Sequence, residues 1–409
     1  MDIDRKGSKK ETVLSTEIVL VLQGGGSLGA YECGVYKSLY KHGIKFDILA
    51  GSSIGAINAS IICSAQNANK DAAEVLENFW ITLSEDIKFP VLLPLSTLLP
   101  AEFFSSLSID KTMAIISSMY SAIYGNPKAF LPRWFKLNST DYYLPPYKWN
   151  YLYDSAPLKK TLKEFIDFEY LKQTRNIQND DDAKKQQQQS RLIITSTDIQ
   201  KGKPVIFDSK KMDIDIDKIM SCVGYPFYGI TWSQDDNNKR YLWDGSLLTN
   251  TPMLDVIHAS PEYDKEFYIV DVFPRQQKEL PTNMIEVWHR ARDIIFMDKT
   301  DKNIQMLENF ERYLSLLKKI NSIINANDAQ IDERTRSRLK ELEPEYYELT
   351  QRRGAIVKEL TRIGRLEKLH FLLEDADFSA YRIKKLIKEG EEDAERVLSK
   401  KGRSIEGFQ

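Results

Sequence analysis

A pair of serines between two glycines is the first place in this sequence where chemistry is expected. Residues 51–55 read Gly-Ser-Ser-Ile-Gly and fit the pattern G-x-S-x-G, centred on Ser53. In that pattern the serine sits on a sharp turn from a strand to a helix, where side chains at Gly51 and Gly55 would collide. The helix N-terminus favours a developing negative charge. Ser53 is therefore a candidate nucleophile, and the alternative is a small-residue turn that packs a helix on a sheet.

A second glycine-rich stretch lies upstream, where residues 24–29 read Gly-Gly-Gly-Ser-Leu-Gly. Backbone without side chains can direct several N–H groups at one anionic oxygen, as an oxyanion hole or a phosphate site requires. Gly24, Gly25 and Gly26 are therefore candidate oxyanion donors, and Gly29 closes the motif at the start of a helix.

A nucleotide cofactor is the main alternative for this stretch, because residues 24–29 also fit G-x-G-x-x-G. The dinucleotide-binding fold needs an acidic residue at the end of its second strand to hold the ribose. Here that strand ends at the candidate nucleophile, and Asp47 lies near its start, so we expect no cofactor. We expect no metal either, because no His or Cys stands at metal-ligand spacing from any of the three cysteines, which are Cys33, Cys63 and Cys222.

A serine nucleophile needs a base to activate it. The chain has four histidines, which are His42, His258, His289 and His370. In the chain order of α/β-hydrolases one of the middle two would have to serve, but neither has a surrounding motif, and the outer two are expected to be solvated or packing residues. Asp244 is the better candidate, because it follows a short apolar strand and burial would raise the pKa of its carboxyl group. Taken alone, however, Asp244-Gly245 predicts only a turn.

Taken in order, the three motifs resemble those of the patatin-like phospholipases. Residues 24–29 match the family's glycine-rich oxyanion motif, and residues 51–55 match its nucleophile motif. Asp244-Gly245-Ser246 stands where the family has Asp-Gly-Gly or Asp-Gly-Ala, so Ser246 is a departure at the third position. Asn250 and Pro252 fit the Asn-x-Pro that follows the family's aspartate.

The resemblance covers about residues 17–274 and implies a three-layer α/β/α sandwich with a mainly parallel central sheet. It implies a lipid acyl hydrolase that cleaves lipid or phospholipid esters through a Ser53–Asp244 dyad and an acyl-enzyme. Two alternatives stay open: an acyltransferase that uses the same acyl-enzyme, and a catalytically silent lipid-binding scaffold. Residues 375–398 look like the helical C-terminal extension of some prokaryotic members.

The elements that must position these motifs follow from hydrophobic periodicity. Residues 17–22 predict a buried strand, a helix follows and ends at Gly43, and residues 45–51 predict a second strand. This order is typical of a parallel sheet. Residues 191–208 predict two further strands joined by a turn at Lys201-Gly202.

Changes of composition along the chain predict its domain organisation. We expect a flexible N-terminus over residues 1–16, a catalytic domain over 17–280 and a helical C-terminal region over 281–409. Within the catalytic domain, residues 86–153 are apolar and proline-rich, which predicts a lid or lipid-contacting insertion, or else packing on the core. The polar, low-complexity residues 176–190 predict a disordered loop.

The C-terminal region is expected to form a helical hairpin. Residues 306–326 carry one apolar stripe, and a second helix is predicted from Pro344 to Leu366, with Pro344 and Gly390 as interruptions. The hairpin is expected to lie against the catalytic domain, and the alternative is a surface for self-association or for a protein partner.

The overall composition excludes some classes of protein. The formal net charge is −2, from 57 Lys and Arg against 59 Asp and Glu, so no global charge favours nucleic acid as a partner. Three cysteines are too few for a disulfide framework and indicate a reducing compartment. The sequence shows neither a typical signal peptide nor an apolar run long enough to span a membrane. We therefore expect a cytoplasmic protein, with peripheral membrane contact as an option and the oligomeric state open.

Overall fold

The computed structural model describes residues 16–84, 109–135, 149–172, 189–235, 239–277, 280–282, 284–297, 300–326, 331–351, 357–365 and 374–406. The strands in these residues are β1 (Thr16–Leu22), β2 (Ile48–Ser52), β3 (Leu131–Pro132), β4 (Tyr153–Asp154), β5 (Arg191–Asp198), β6 (Lys203–Asp208), β7 (Ser233–Asp235), β8 (Arg240–Asp244), β9 (Asp264–Asp271) and β10 (Val357–Gly364). The α-helices are α1 (Gly29–Lys41), α2 (Ile54–Asn67), α3 (Ala72–Leu83), α4 (Ile109–Tyr124), α5 (Ala156–Phe165), α6 (Ile216–Ser221), α7 (Met253–Ala259), α8 (Met284–Phe296), α9 (Thr300–Ala326), α10 (Glu333–Gln351) and α11 (Ala380–Glu406).

The described strands form one large mixed sheet in the order β10-β9-β1-β2-β5-β8-β7, with β6 paired to β5 beside this path. The five strands from β10 to β5 run parallel, and β6, β7 and β8 run antiparallel to their neighbours. Alternate residues of β1 enter two separate cores, Leu20 and Leu22 on one face and Val19 and Val21 on the other. Helices cover both faces, so the predicted three-layer α/β/α architecture is confirmed.

One strand, β5, brings the ends of two other strands together. Its first residues pair in parallel with β2, as far as Thr195 opposite Ser52. The next residue, Ser196, pairs with Asp244 at the end of the antiparallel strand β8. Strands β2 and β8 both pair with the edge of β5 that β6 does not occupy, and they run in opposite directions. The C-terminal ends of β2 and β8 therefore meet, although the two strands are far apart in sequence.

The chain after residue 280 returns to the sheet. Although the region is mainly helical, as predicted, β10 pairs in parallel with β9 at the edge of the sheet. The predicted helix from Pro344 to Leu366 is therefore wrong over Val357–Gly364, and Pro344 lies inside α10 instead of interrupting it. The cause is that the apolar residues of this edge strand, Val357, Leu360 and Ile363, lie three positions apart, which is a helical spacing, and the strand accommodates them with a register shift between Val357 and Glu359. The domain boundary near Leu280 stays a prediction.

Helix α11 packs along α1 and joins the C-terminal region to the core. Gly390, which was expected to interrupt a helix, lies inside α11. A Cβ atom there would lie 2.1 Å from the carbonyl oxygen of Tyr31, so the glycine allows the two helices to cross closely. At the far end of this contact His42 pairs with Glu395 at 3.0 Å.

Some predictions lie wholly or partly outside the described residues. Of the N-terminal segment 1–16 only Thr16 is described, and it begins β1. The predicted insertion is described over 109–135 and 149–153, and the predicted loop 176–190 only over its last two residues. Whether the insertion moves as a lid stays a prediction. In the part of the chain that is described, no helix is long and apolar enough to cross a membrane.

Truncation after Leu280 should lower solubility and secondary-structure content. It removes β10 and α11, which leaves the backbone of β9 unpaired at the edge and uncovers the apolar side of α1. Size-exclusion chromatography and far-UV circular dichroism measure both effects. Truncation after Ser399 is the matched control, because it keeps the contacts between α11 and α1. A soluble, monodisperse and active fragment ending at Leu280 would contradict the expectation.

Candidate active site

Ser53 occupies the turn between β2 and α2 in a strained backbone conformation. Its φ is 54° and its ψ is −128°, a region that residues other than glycine rarely adopt. A Cβ at Gly51 would lie 2.3 Å from the carbonyl oxygen of Gly55, and one at Gly55 would lie 2.5 Å from that of Leu22. Both positions therefore exclude a side chain, as the sequence argument requires. The backbone N–H groups of Ala56 and Ile57 donate to the carbonyl oxygen of Ser53 at 2.9 and 3.3 Å, which places Ser53 at the N-terminus of α2.

Asp244 ends β8 and is buried beside Ser53. Its Oδ1 accepts a hydrogen bond from the backbone N–H of Ser246 at 2.8 Å. Burial raises the pKa of Asp244 to about 6, and hydrogen bonds from the Ser53 side chain and from Ser246 oppose part of that rise. A carboxylate with this pKa is ionised at neutral pH and is still basic enough to accept a proton.

Gly24 brings the glycine-rich loop against the candidate nucleophile. A Cβ at Gly24 would lie only 2.7 Å from the Cβ of Ser53. Its N–H, however, donates to Oδ1 of Asn250 at 2.9 Å, so it is not free for an oxyanion. The expected donor role of Gly24 therefore does not fit this structure, which leaves the N–H groups of Gly25 and Gly26 as candidates.

The loop is held by polar side chains that the sequence analysis did not assign. Gln23 is buried, and its side-chain amide donates to Oγ1 of Thr251 at 2.9 Å and to Oδ1 of Asp271 at 3.0 Å. The side-chain carbonyl oxygen of Gln23, Oε1, accepts a hydrogen bond from the backbone N–H of Val272 at 3.0 Å. Among these residues the sequence pointed to Asn250 alone, because it fits the family's Asn-x-Pro motif. Gln23 directly precedes the glycines and carried none of its own.

The two other predicted motif positions support this arrangement. Gly29 begins α1, where a Cβ would lie 2.6 Å from Cγ1 of Ile54 at the start of α2. A Cβ at Gly245 would lie 2.4 Å from the carbonyl oxygen of Thr195, so this residue lets the turn after Asp244 pack on β5.

A mainly apolar cavity of about 320 Å³ opens onto Ser53 and Asp244. Part of its wall comes from the segment expected to be a lid: Ala122, Ala129, Phe130, Leu152 and Tyr153. Another part comes from beyond residue 280: Phe296, Asp375, Ala376 and Phe378. Both the insertion and the C-terminal region therefore contribute directly to the site.

A buried ionic cluster anchors the C-terminal segment beside the glycine loop. The backbone carbonyl of Glu374 accepts a hydrogen bond from Oγ of Ser27 at 3.0 Å. Its carboxylate accepts from three guanidinium groups: Arg365 at 2.8 Å, Arg292 at 3.2 Å and Arg382 at 3.5 Å. Burial acts to raise the pKa of Glu374, but these three cations outweigh it and hold the pKa well below its usual range.

Asp375 lies between this cluster and the cavity. Its carboxylate accepts a hydrogen bond from the hydroxyl of Tyr228 and lies 3.3 Å from Nη1 of Arg292. Its carbonyl oxygen would lie 2.4 Å from a Cβ at Gly26, whose φ of 57° also favours glycine. The C-terminal segment therefore touches the glycine loop through the backbone carbonyls of Glu374 and Asp375.

The described histidines lie away from the cavity. His42 is at the end of α1, His258 is exposed on α7, and His289 is buried in α8, while His370 falls outside the described residues. Asp244 is thus the only one of the sequence-predicted base candidates, within the described chain, that lines the cavity with Ser53. No group of three or more His, Cys, Asp or Glu side chains in the same residues is arranged to hold a metal ion.

The fold and the site together define an α/β protein. Ser53 stands at the elbow after the central parallel strand β2, and Asp244 stands at the end of β8, the strand whose C-terminal end meets that of β2. The chain matches the family profile of the patatin-like phospholipases over residues 20–257, which is more than half of its length. It belongs to that family, and the resemblance seen in the sequence is confirmed.

Individual relatives match over shorter stretches. "Lysophospholipase NTE1" of Meyerozyma guilliermondii is 38% identical over 86 residues, 19% of this chain and 6% of that protein. "Triacylglycerol lipase ptl3" of Schizosaccharomyces pombe is 42% identical over 57 residues, 14% of this chain and 11% of that protein. The solved structure of VipD from Legionella pneumophila aligns with 96% of this chain and with 69% of the VipD chain. At a TM-score of 0.35 and 12% identity, this similarity is too weak to show a shared fold.

Turnover of a neutral, soluble short-chain ester should depend on the ionisation of Asp244. Because a protonated carboxyl group cannot accept the Ser53 proton, kcat/KM should rise as the pH increases through about 6 and then level off. Initial rates across this range measure the profile, and circular dichroism at each pH shows that the protein stays folded. A flat profile, or one that falls across pH 6, would contradict the role of Asp244.

Replacement of Glu374 by glutamine should destabilise the protein. The amide has nearly the same shape but leaves three buried guanidinium groups without their shared carboxylate, a loss of about 3–5 kcal/mol. Urea unfolding measures the difference. Glu392→Gln is the control, because Glu392 pairs with Lys388 at 3.7 Å on the surface and its loss should change stability by about 0.5 kcal/mol or less. Equal effects of the two changes would contradict the role of the cluster.

Proposed function

We propose that this chain is a serine lipid acyl hydrolase of the phospholipase A or esterase type. The observation that carries the proposal is the Ser53–Asp244 pair, which stands at a strained elbow and opens onto a mainly apolar cavity. An apolar lining beside a few polar groups is typical of a site that takes an acyl chain and orients one reactive bond.

The first half of the proposed reaction forms an acyl-enzyme. Oγ of Ser53 attacks the ester carbonyl while Asp244 accepts its proton. The N–H groups of Gly25 and Gly26 donate to the oxyanion, and each such donor is worth about 3–4 kcal/mol in comparable sites. The tetrahedral intermediate then collapses, the bond to the leaving alcohol breaks, and Asp244 returns the proton to that alcohol.

The second half releases the fatty acid. Asp244, ionised again, accepts a proton from a water molecule as the water oxygen attacks the acyl carbon. The bond to Oγ of Ser53 breaks, the serine regains its proton from Asp244, and a carboxylic acid leaves. These steps use protein groups and water alone, so the proposal includes no cofactor.

The substrate class in this proposal is a lipid acyl ester. The names of the relatives, a lysophospholipase and a triacylglycerol lipase, support an ester of a lipid without fixing its headgroup. The proposal also includes a reducing, cytoplasmic location, which the three buried and unpaired cysteines support.

Labelling with a fluorophosphonate probe, together with turnover of a short-chain ester, tests the dyad. Ser53→Ala should abolish labelling and lower the rate by about 10⁴-fold or more, and Asp244→Asn should lower both strongly. Ser52→Ala is the matched control. The Oγ of Ser52 is buried and donates to the carbonyl of Thr249 at 2.6 Å, so the variant should still be labelled.

Two outcomes would overturn the proposal. Labelling of Ser53→Ala at the wild-type level would place the nucleophile elsewhere. An unlabelled, inactive wild-type protein that nevertheless binds lipid would identify the chain as a binding scaffold.

A further inference from the structure

Helix α8 turns three polar or charged side chains inward and a stripe of apolar side chains outward. His289, Arg292 and Asp293 are at most 4% exposed. The opposite side exposes five large apolar residues: Met284, Val287, Trp288, Ile294 and Ile295. Successive members of this set are three, one, six and one positions apart in the sequence, which places them on one side of the helix. The small residue Ala291 lies in the centre of this stripe. An amphipathic helix of a soluble protein normally has the reverse orientation.

The inward face fixes this orientation. Arg292 lies 3.2 Å from Oε1 of Glu374 and 3.3 Å from Oδ1 of Asp375, inside the ionic cluster. Arg290 donates to the backbone carbonyls of Pro274 and Arg275, each at 3.1 Å. Rotating the helix to bury its apolar side would break these contacts and expose the cluster, so the apolar stripe is held outward.

The stripe adjoins the active-site cavity. Phe296, the last residue of α8, lines that cavity and stacks on Phe273 at a ring distance of 5.2 Å. It also contacts Tyr225 at 5.6 Å, and Tyr225 contacts Phe227 at the same distance. Phe227 lines the cavity too, yet it is 80% exposed. Outward apolar surface and cavity lining therefore meet at these aromatic rings.

We propose that this surface docks on a lipid bilayer and holds the cavity open towards it. The surface, here called the α8 face, consists of Met284, Val287, Trp288, Ile294 and Ile295 of α8 together with Phe227. The choice of occupant rests on the proposed function: a protein bound here would cover the mouth of the cavity, whereas a lipid surface would supply it with substrate.

The chemistry of the α8 face suits the boundary of a membrane. Trp288 combines a large apolar ring with one N–H donor, and tryptophan is enriched where acyl chains meet headgroups. The other members are aliphatic, thioether or phenyl side chains without charge. Attachment should therefore depend on buried apolar area and change little with added salt.

Vesicle sedimentation tests the docking without any turnover. Ser53→Ala protein should co-sediment with phosphatidylcholine vesicles, with or without phosphatidylglycerol. Adding Trp288→Glu and Ile295→Glu should weaken this partitioning by about tenfold or more, because two charges would enter the apolar boundary. Both side chains are exposed, and a urea midpoint close to that of the parent shows that the variant folds. The single change Trp288→Ala gives a milder second test.

The matched control places the same two charges at the other end of the molecule. Tyr40 lies in the last turn of α1, and the carbonyl of Tyr170 accepts a hydrogen bond from Asn67 at the end of α2. They are 38% and 39% exposed. Tyr40→Glu with Tyr170→Glu should leave vesicle binding within about twofold of the parent.

Three results would overturn the proposal: no vesicle binding by the Ser53→Ala protein, equal loss in the α8 face and control variants, or no loss in the α8 face variant. A dimer in sedimentation velocity that the α8 face variant abolishes would identify a second copy as the occupant instead. Because the binding assay uses Ser53→Ala, a failure of the hydrolase proposal in the labelling experiment would leave its outcome unaffected.

Discussion

The site depends on the hydrogen-bond ladder of β5. This strand pairs first with β2 and then, one residue later, with β8, so that Thr195 faces Ser52 and Ser196 faces Asp244. A slip of one residue in either ladder would turn the paired side chains to the other face of the sheet. The separation of Ser53 and Asp244 is thus set by backbone pairing in the most buried part of the fold, and the side chains need little freedom to meet.

The buried cluster around Glu374 joins three parts of the molecule that sequence order keeps apart. It touches the glycine loop through Ser27, the sheet through Arg365 after β10, and α8 through Arg292. Breaking one partner of such a cluster leaves uncompensated charge in a low-dielectric interior, which is costly. The same contacts dictate which side of α8 meets solvent. A requirement for charge balance inside the protein therefore determines the chemistry of part of its outer surface.

The sequence allowed the sheet and the elbow at Ser53 to be predicted, because G-x-S-x-G and the glycine loop each encode a local backbone geometry. Asp244 was assigned as the candidate base through the resemblance of the three motifs in order, since its own dipeptide predicts only a turn. The sequence did not allow β10 to be predicted, since its apolar residues Val357, Leu360 and Ile363 lie three positions apart, a spacing that favours a helix. The orientation of α8 could not be predicted either, because a periodic apolar stripe on a helix is normally expected to face the interior, and that of α8 faces outward. Gly24 shows a third limit. A glycine motif indicates that the backbone lies close to another group, but it does not show that the N–H of Gly24 already donates a hydrogen bond to Asn250.

Part of the cavity wall follows the sheet strands β1 to β9 in chain order, and this affects how the protein is made. Strands β1, β2, β5, β8 and β9 all precede residue 272, and domains generally begin to fold from the N-terminus during synthesis. Glu374 and α11 follow roughly a quarter of the chain later. On the ribosome the elbow that carries Ser53 thus emerges well before the segment that braces the glycine loop. The nascent chain therefore passes through a period in which Ser53 has emerged but Asp375, Ala376 and Phe378, which line the same cavity, have not.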